Sequence, residues 1–238
     1  MHPLAFIGEL PVQEAAPVRV GVPKLVIFDC DGVLVQSEEI TLSVLISLLN
    51  EQARRDAPEA KGLDSVAFIE RFRGRKIADC LREAEQRLNI CLDSQFEETF
   101  RQTALLDLTA KLKPTDGIHE VLESLTLPFC VASSAPLNKI EHCVRLTGLF
   151  PYFKGHLFSC YELGRWKPDP LVFLTACAAY NVDPCDAWVI EDSVVGIHAA
   201  VAANIRVLGF GPVDRHSILA DAGALPFSDM RELRTLLA

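Results

Sequence analysis

Four short apolar runs constrain the fold of this chain more than any other feature of its sequence. Each run is five or six residues long and lacks the regular polar alternation of a half-exposed strand. Such runs are typical of parallel strands that are covered by helices on both faces. They occupy Lys24–Asp29, Pro128–Ser133, Ala187–Glu191 and Ile205–Gly209.

Helical patterns separate the last three of these runs, at Pro136–Leu146 and Asp169–Tyr180 before the third run and at Ser193–Ala203 before the fourth. We expect Pro168 and Pro170 to lie in the first turn of the second helix, where proline is tolerated. Asn204 suits a left-handed residue after the third helix. The alternation of strands and helices predicts an α/β fold, with a Rossmann-like parallel sheet core and helices on both faces.

The segment from Glu38 to Leu108 breaks this alternation, because it contains helical patterns and no convincing strand. The patterns cover Ile40–Arg55, Ser65–Arg73, Lys76–Leu88 and Ser94–Leu108. We interpret the segment as an inserted all-α cap domain. The predicted division is an N-terminal extension at 1–22, a catalytic core at 23–37 and 109–238, and a helical cap at 38–108.

Composition argues against several classes of protein. The 238 residues carry a net charge of −9, so the chain lacks the basic footprint of a nucleic-acid-binding protein. No apolar run approaches the roughly 20 residues of a membrane span. The eight cysteines are scattered without a C-x-x-C pair, which weakens both a zinc and a disulfide interpretation. A reducing, cytoplasmic setting fits this pattern.

The first run ends in two carboxylates, Asp29 and Asp31, followed by Gly32. Ligands of parallel α/β sheets bind beyond the carboxyl ends of the strands. Two carboxylates this close repel each other, and a hard divalent cation such as Mg²⁺ relieves the repulsion. The alternative is an ordinary Asp-rich turn.

Polar residues also follow the later runs. Ser133 and Ser134 end the second run, where a hydroxyl could donate to a phosphoryl oxygen or simply cap a helix. Lys167 precedes a predicted helix and could neutralise charge during phosphoryl transfer, although most loop lysines are only solvated. Glu191 and Asp192 end the third run, where Asp192 could bind a metal or stabilise a helix amino end.

Taken together, these four features resemble the haloacid dehalogenase superfamily of phosphatases. The family pattern is D-x-D-G, a strand-end Ser or Thr, a Lys, and an acidic pair after a strand. Within the superfamily the chain resembles the β-phosphoglucomutase-like branch, and most of all its bacterial 6-phosphogluconate phosphatases. This similarity rests on Arg165–Pro170, Phe72–Lys76 and Leu157–Tyr161.

The resemblance implies a role for each motif residue. Asp29 would be the nucleophile that forms an aspartyl-phosphate, and Asp31 would be the general acid and base. Ser133 would hold the phosphoryl group, with Ser134 beside it, and Lys167 would balance the charge of Asp29. The resemblance also implies a Mg²⁺ cofactor, with metal ligands from Asp29, Asp31, Asp192 and Glu191.

The inserted helices match the family's cap, which closes over the site and recognises the leaving group. The basic segment Arg71–Lys76 suits an anionic group of the substrate, and we take Arg73, Arg75 and Lys76 as candidate substrate-binding residues. A solvent-facing helix boundary is the alternative.

The expected activity is Mg²⁺-dependent hydrolysis of a small sugar-phosphate-type monoester, with 6-phosphogluconate as a candidate. Mutases of the branch carry a His and an Arg where this chain has Thr41 and Ile77, which favours hydrolysis over phosphate shuttling. A phosphomutase and a non-catalytic binding protein remain as alternatives. The expected partner is a small phosphorylated metabolite, without nucleic acid or membrane, and we expect a monomer or weak dimer.

Overall fold

A computed structural model describes residues 21–59 and 61–238, so the predicted N-terminal extension lies almost wholly outside the described residues. Six parallel strands form one sheet in the order β3-β2-β1-β4-β5-β6. The chain builds the sheet outward from β1 in one direction and then returns to add β4 on the other side. This topological switch lies between β1 and β4, where ligands of such sheets bind. The strands are Leu25–Phe28 (β1), Phe129–Ser133 (β2), Leu157–Ser159 (β3), Ala187–Glu191 (β4), Arg206–Phe210 (β5) and Leu225–Phe227 (β6).

The four predicted strands match β1, β2, β4 and β5 to within one residue at each end. The sequence pattern missed β3 and β6, which are three residues long and lie at the two edges of the sheet. Strands this short give too little periodicity to detect. Pro226 within β6 also argues against a strand, and proline is tolerated there because β6 is an edge strand.

The helices before the second strand are Glu38–Asp56 (α1), Ser65–Phe72 (α2), Ile77–Leu88 (α3), Phe96–Lys111 (α4) and Ile118–Ser124 (α5). Those after it are Leu137–Leu146 (α6), Phe150–Phe153 (α7), Cys160–Leu163 (α8), Leu171–Ala179 (α9), Val194–Ala202 (α10), His216–Asp221 (α11) and Leu233–Leu236 (α12). Short 3₁₀ helices occupy Pro184–Asp186, Val213–Arg215 and Met230–Glu232.

The prediction for the start of α9 was wrong. This helix begins at Leu171, with Pro170 as its N-cap, and Pro168 lies outside it after a cis peptide bond. The prediction for the end of α10 is confirmed, since Asn204 has a left-handed φ of 58°. Ser193 caps the start of α10, because its side chain accepts a hydrogen bond from Gly196 N at 3.1 Å.

Both faces of the sheet are buried, which explains why the strands read as continuous apolar runs. Along β1, Val26 and Phe28 join a cluster with residues of α5, α6, α7 and α12. Leu25 and Ile27 point the other way, into a cluster with residues of α9, α10 and α11. All four of these side chains are fully buried. The predicted sheet with helices on both faces is confirmed.

Helices α1 to α4 form an insertion between β1 and β2 with its own apolar cluster, separate from the two clusters on the sheet. Buried residues such as Leu45, Leu49, Phe72 and Leu88 build this third cluster. Helix α4 continues to Lys111, three residues beyond the predicted end of the segment at Leu108. The separate cluster favours the predicted inserted domain, whose exact division of the chain stays a prediction.

Six cysteines lie buried in the protein, where they pack as small apolar side chains. They are Cys30, Cys80, Cys130, Cys143, Cys160 and Cys177. Within the described ranges, no helix combines the length and the apolar character that crossing a bilayer requires.

The aromatic contacts under β1 give a test of the fold. Phe153 is fully buried and packs edge-on against Phe28 and Phe129, with ring centroids 6.2 and 5.4 Å away. We expect Phe153→Ala to lower the free energy of unfolding in urea by about 3–5 kcal/mol, because it removes the ring and leaves a cavity. The control Val213→Ala, at a side chain 73% exposed, should change it by less than about 0.5 kcal/mol. Equal effects of the two substitutions would contradict this packing.

Candidate active site

One lysine joins three strands at the carboxyl edge of the sheet. Lys167 Nζ lies 2.6 Å from Asp29 Oδ1, just after β1, and 2.8 Å from Glu191 Oε1, at the end of β4. It also donates to the main-chain oxygen of Ala132 on β2, at 3.1 Å. Lys167, Asp29 and Glu191 are all buried. The ammonium therefore fixes the position of the Asp29 carboxylate relative to the neighbouring strands.

Burial shifts the pKa of Lys167 and of Asp29 in one direction, and the opposite charge of its partner shifts it in the other. Burial alone would lower the pKa of Lys167, but Asp29 and Glu191 outweigh it and raise the pKa above its usual range, so the lysine is charged. Burial raises the pKa of Asp29 well above its usual range; Lys167 opposes this shift, and Glu191 and Asp192 reinforce it. One lysine therefore does not balance the carboxylates gathered here.

Both oxygens of Glu191 are already occupied. Oε1 accepts from Lys167, and Oε2 accepts from the backbone nitrogens of Asp192 and Ser193 at 2.8 Å and from Ser193 Oγ at 2.9 Å. These bonds hold Lys167 and the turn after β4 in place. They make Glu191 a positioning residue for Lys167 and this turn, and its role as a metal ligand, which the family resemblance implies, stays a prediction.

Asp31 is held by a residue that the sequence analysis missed. Lys139 Nζ, on α6, lies 2.9 and 3.0 Å from the two carboxylate oxygens of Asp31, and Ser37 Oγ donates to one of them. Burial raises the pKa of Asp31, but Lys139 and the hydrogen bond from Ser37 outweigh it and leave the pKa below its usual value. Nothing in the sequence pattern distinguishes Lys139 from a solvated helix lysine. Only the sheet topology brings the start of α6 next to the end of β1.

The two serines after β2 differ in their contacts. Ser133 Oγ is buried and accepts a hydrogen bond from Ala135 N at 3.1 Å, so it stabilises the turn. It is not the helix N-cap that we considered, because Pro136 occupies that position of α6. Ser134 Oγ lies beside the Cys160 thiol and makes no hydrogen bond of normal geometry. Both hydroxyls therefore keep a hydrogen that can be donated to a bound anion.

The loop after α2 reaches across to the sheet and contacts its carboxylates. Arg73 Nη1 lies 2.5 Å from Glu38 Oε2 and 3.2 Å from Asp192 Oδ2, and Gly74 N donates to Glu38 Oε1 at 2.6 Å. Burial raises the pKa of Glu38 to about 7 in spite of Arg73. Arg73 was a candidate for substrate binding, but the structure places it between carboxylates of the site.

The other two candidates from this loop have different surroundings. Arg75 Nη1 pairs with Glu83 Oε2 at 2.8 Å, on the next helix. Lys76 Nζ lies 3.6 Å from the ring centroid of Trp166, in the loop that carries Lys167. Arg75 shares the Glu83 carboxylate with Arg71 and Arg87 within the insertion, whereas Lys76 contacts an aromatic ring of the core.

A cavity of about 410 Å³ lies between the insertion and the carboxyl edge of the sheet. Its volume is within the range of about 300–1,000 Å³ that is usual for small-molecule sites. Every residue that the sequence singled out for catalysis, metal binding or substrate binding lines this cavity, with the exception of Arg73. The structure therefore brings the predicted constellation together in one place.

The charges at this edge fit a divalent cation. At the sheet edge, ion pairs join five carboxylates to three cations, a formal surplus of two negative charges when every group is ionised. Gly32, with a φ of +86°, faces Asp192 so closely that a Cβ there would overlap the Asp192 carboxylate. In the described residues no three His, Cys, Asp or Glu side chains form a ready metal cage. Mg²⁺ commonly needs only one or two carboxylates, because substrate phosphate and water complete its shell.

Comparison with known proteins identifies the family. A family model for haloacid dehalogenase-like hydrolases matches residues 23–204. The chain belongs to this family. It contains the family's hydrolase core together with the helical insertion between β1 and β2.

Two curated relatives and one solved structure illustrate the similarity. The 6-phosphogluconate phosphatase of Escherichia coli K12 is 30% identical over 186 residues, which cover 78% of this chain and 81% of the relative. Hexitol phosphatase B of the same strain is 30% identical over 190 residues, covering 76% and 80%. A haloacid dehalogenase-like protein of unknown function from Agrobacterium tumefaciens superposes with a TM-score of 0.78 at 35% identity, covering 90% of this chain and 97% of that one.

The close approach of α10 to Glu191 gives a test of the site's packing. A Cβ at Gly196 would overlap the Glu191 carboxylate, which is held on both oxygens. We expect Gly196→Ala to lower the free energy of unfolding by about 1–3 kcal/mol through overpacking. This expected loss is a net value, because the overpacking outweighs the stabilisation of about 1 kcal/mol that alanine gives a helix relative to glycine.

The control for this test is Gly21→Ala, because among the described residues, its chain neighbours aside, a Cβ at Gly21 would have no atom within 4 Å. It should leave the thermal unfolding curve nearly unchanged. A Gly196→Ala protein that is more stable than wild type would show that the Glu191 carboxylate is not packed against α10.

Proposed function

We propose that this hydrolase is a Mg²⁺-dependent phosphatase that cleaves a small sugar-phosphate-type monoester through an aspartyl-phosphate on Asp29. The observation that carries the proposal is the buried bridge from Lys167 to Asp29 and Glu191 at the floor of the cavity. It presents one carboxylate at the end of β1, fixed by a permanent cation. The named relatives are phosphatases, which supports the same class of reaction here.

In the proposed first step, a carboxylate oxygen of Asp29 attacks phosphorus and the bond from phosphorus to the leaving oxygen breaks. Asp31 takes up a proton before this step, against the lowered pKa that Lys139 and Ser37 give it, and then donates that proton to the leaving oxygen. Lys167 holds the attacking carboxylate in position, and the hydroxyls of Ser133 and Ser134 donate to the phosphoryl oxygens. Splitting the displacement into two steps replaces one high barrier by two lower ones.

In the second step, Asp31 takes a proton from a water molecule that attacks the aspartyl-phosphate. The bond between phosphorus and Asp29 breaks, which releases inorganic phosphate and restores the carboxylate. Lys139 and Ser37 hold the Asp31 side chain through both steps. Asp31 alternates between the acid and base forms, so the proton balance closes within one turnover.

We propose that Mg²⁺ is held by the carboxylates of Asp29 and Asp192 and the main-chain carbonyl of Asp31. When bound, the ion neutralises charge on the phosphoryl group and on the carboxylates. The surplus of two negative charges at this edge supports a divalent ion. Glu191, a further ligand directly or through water by the family resemblance, accepts hydrogen bonds on both oxygens, and its metal role stays a prediction.

The lining of the cavity supports a polyhydroxylated leaving group. Glu98 and Gln102 from α4 face it, together with Asn138 and His142 from α6. Such side chains bond well to sugar hydroxyls. On this basis we propose a small sugar phosphate as substrate, with 6-phosphogluconate as a candidate.

A phosphomutase using the same aspartyl-phosphate is the second candidate. The cavity supports hydrolysis instead, because Thr41 and Ile77 line it where mutases of the branch are expected to carry His and Arg. The Thr41 hydroxyl is also bonded to the Ser37 main-chain oxygen, at 2.8 Å. A cytoplasmic location and a monomeric or weakly dimeric state stay predictions from the sequence.

The proposal is tested by phosphate release from a panel of sugar monophosphates with Mg²⁺. We expect Asp29→Asn to reduce kcat by about a thousandfold or more, because the amide is not a nucleophile. Chelation of Mg²⁺ should abolish wild-type turnover, and its return should restore it.

Asp221→Asn, at an exposed carboxyl outside the cavity, is the matched control and should keep wild-type rates. Unfolding curves of both variants should match that of the wild type in cooperativity. Mg²⁺-dependent release of phosphate by pure Asp29→Asn protein would refute the nucleophile. Conversion of the monophosphate to an isomer, with little free phosphate, would favour the mutase.

A further inference from the structure

We propose that Lys76, seated on Trp166, is a subsite for a carboxylate on the leaving group, so that the preferred substrate is a sugar-acid phosphate rather than a neutral sugar or polyol phosphate. This inference rests on the proposed phosphatase function. It assigns one residue of the cavity to substrate selection.

The charges in the cavity single out Lys76. Each of the other lysines and arginines in its lining is paired with a carboxylate: Arg75 with Glu83, Arg101 with Glu97, Lys139 with Asp31, and Lys167 with Asp29 and Glu191. Within residues 21–59 and 61–238, no carboxylate forms an ion pair with Lys76. An unpaired cation facing a small-molecule cavity is available to an anionic substrate group.

The contact with Trp166 orients this cation without neutralising it. Lys76 Nζ lies 3.6 Å from the indole centroid, a distance at which an ammonium is attracted to the ring face. Trp166 packs in turn edge-on against Tyr161, with centroids 5.1 Å apart. The ring face covers one side of the ammonium and leaves N–H groups on the other side free to donate.

The backbone near Lys76 provides a second favourable interaction for an anion. Lys76 is the N-cap of the twelve-residue helix α3, and no side chain in the described part of the chain caps that end of the helix. The uncapped amides give the amino end of α3 a partial positive charge. Ile77, the first residue of this helix, also lines the cavity. An anion beside Lys76 would therefore meet an ammonium and a helix amino end together.

The rest of the lining explains why this cation would discriminate between substrates. The cavity also contains carboxylates, including Glu98 and Glu38, and these repel a negatively charged leaving group. A neutral polyol needs no cation to overcome that repulsion, whereas a sugar acid does. Lys76 should therefore affect binding of an acidic leaving group and leave a neutral one almost unaffected.

The test uses two substrates that differ at one end only. In 6-phosphogluconate a carboxylate stands where sorbitol 6-phosphate has a CH₂OH group. We expect wild-type protein to prefer 6-phosphogluconate, and Lys76→Met to raise KM for it about tenfold, the usual effect of losing a charge-assisted hydrogen bond. KM for sorbitol 6-phosphate, and kcat on both substrates, should change less than twofold.

Lys76→Arg should recover most of the affinity, because it restores the charge. Lys154→Met, at an exposed lysine outside the cavity, is the matched control and should change neither KM. Equal shifts of KM for both substrates, or no shift for 6-phosphogluconate, would overturn the subsite. Wild-type activity without preference for the acid would also overturn it.

Assays with p-nitrophenyl phosphate distinguish failure of the carboxylate subsite from failure of the proposed phosphatase function. If the wild type hydrolyses this generic monoester but not 6-phosphogluconate, the carboxylate subsite is wrong and the phosphatase function stands. If it releases phosphate from none of the three compounds in the presence of Mg²⁺, the proposed function and the subsite fail together.

Discussion

The site depends on one buried ammonium group. Lys167 bonds to Asp29, Glu191 and the main chain of Ala132, and so joins the ends of β1, β4 and β2. Burying these charges costs several kcal/mol for each ion, and the mutual pairing offsets that cost only while all partners are present. The geometry of the attacking carboxylate is therefore coupled to the packing of the sheet, and through Glu191 to the start of α10.

The excess of negative charge around this group explains the other contacts at the site. Asp192 is buried and Glu38 is half-buried near it, and both carboxylates have a raised pKa that a nearby cation would lower. In this structure Arg73, carried by the helical insertion, contacts both of them. Arg73 thus supplies part of the positive charge that these carboxylates require. Its contacts also hold the insertion against the sheet edge, beside the cavity.

The sequence was sufficient to predict the sheet and the main constellation, because both follow from local patterns. Continuous apolar runs identify central strands, and polar residues at their ends must meet at one edge of a parallel sheet. Asp29, Asp31, Ser133 and Asp192 were found in this way, whereas Lys167 was singled out as a cation before a predicted helix. The edge strands β3 and β6 were missed because three residues carry no clear pattern.

The contacts made by long side chains could not be predicted. Lys139, Arg73 and Arg75 each have a carboxylate partner on another element or further along the chain, and only the folded topology determines which one. Glu191 shows the same limit, since the family resemblance implied a metal ligand and gave no sign that its hydrogen bonds hold Lys167 and the following turn. Residue type and spacing identified the site, and tertiary contacts distinguished the residues within it.

The central claim is that the Asp29 carboxylate held by Lys167 accepts the phosphoryl group. Rapid acid quenching during a single turnover, borohydride reduction of any acyl phosphate, and peptide mass spectrometry test it directly. The account predicts homoserine at position 29, in an amount that rises and then falls as free phosphate appears. Release of phosphate in one turnover with no reduced residue at any time, or with the reduced residue at another aspartate, would contradict it.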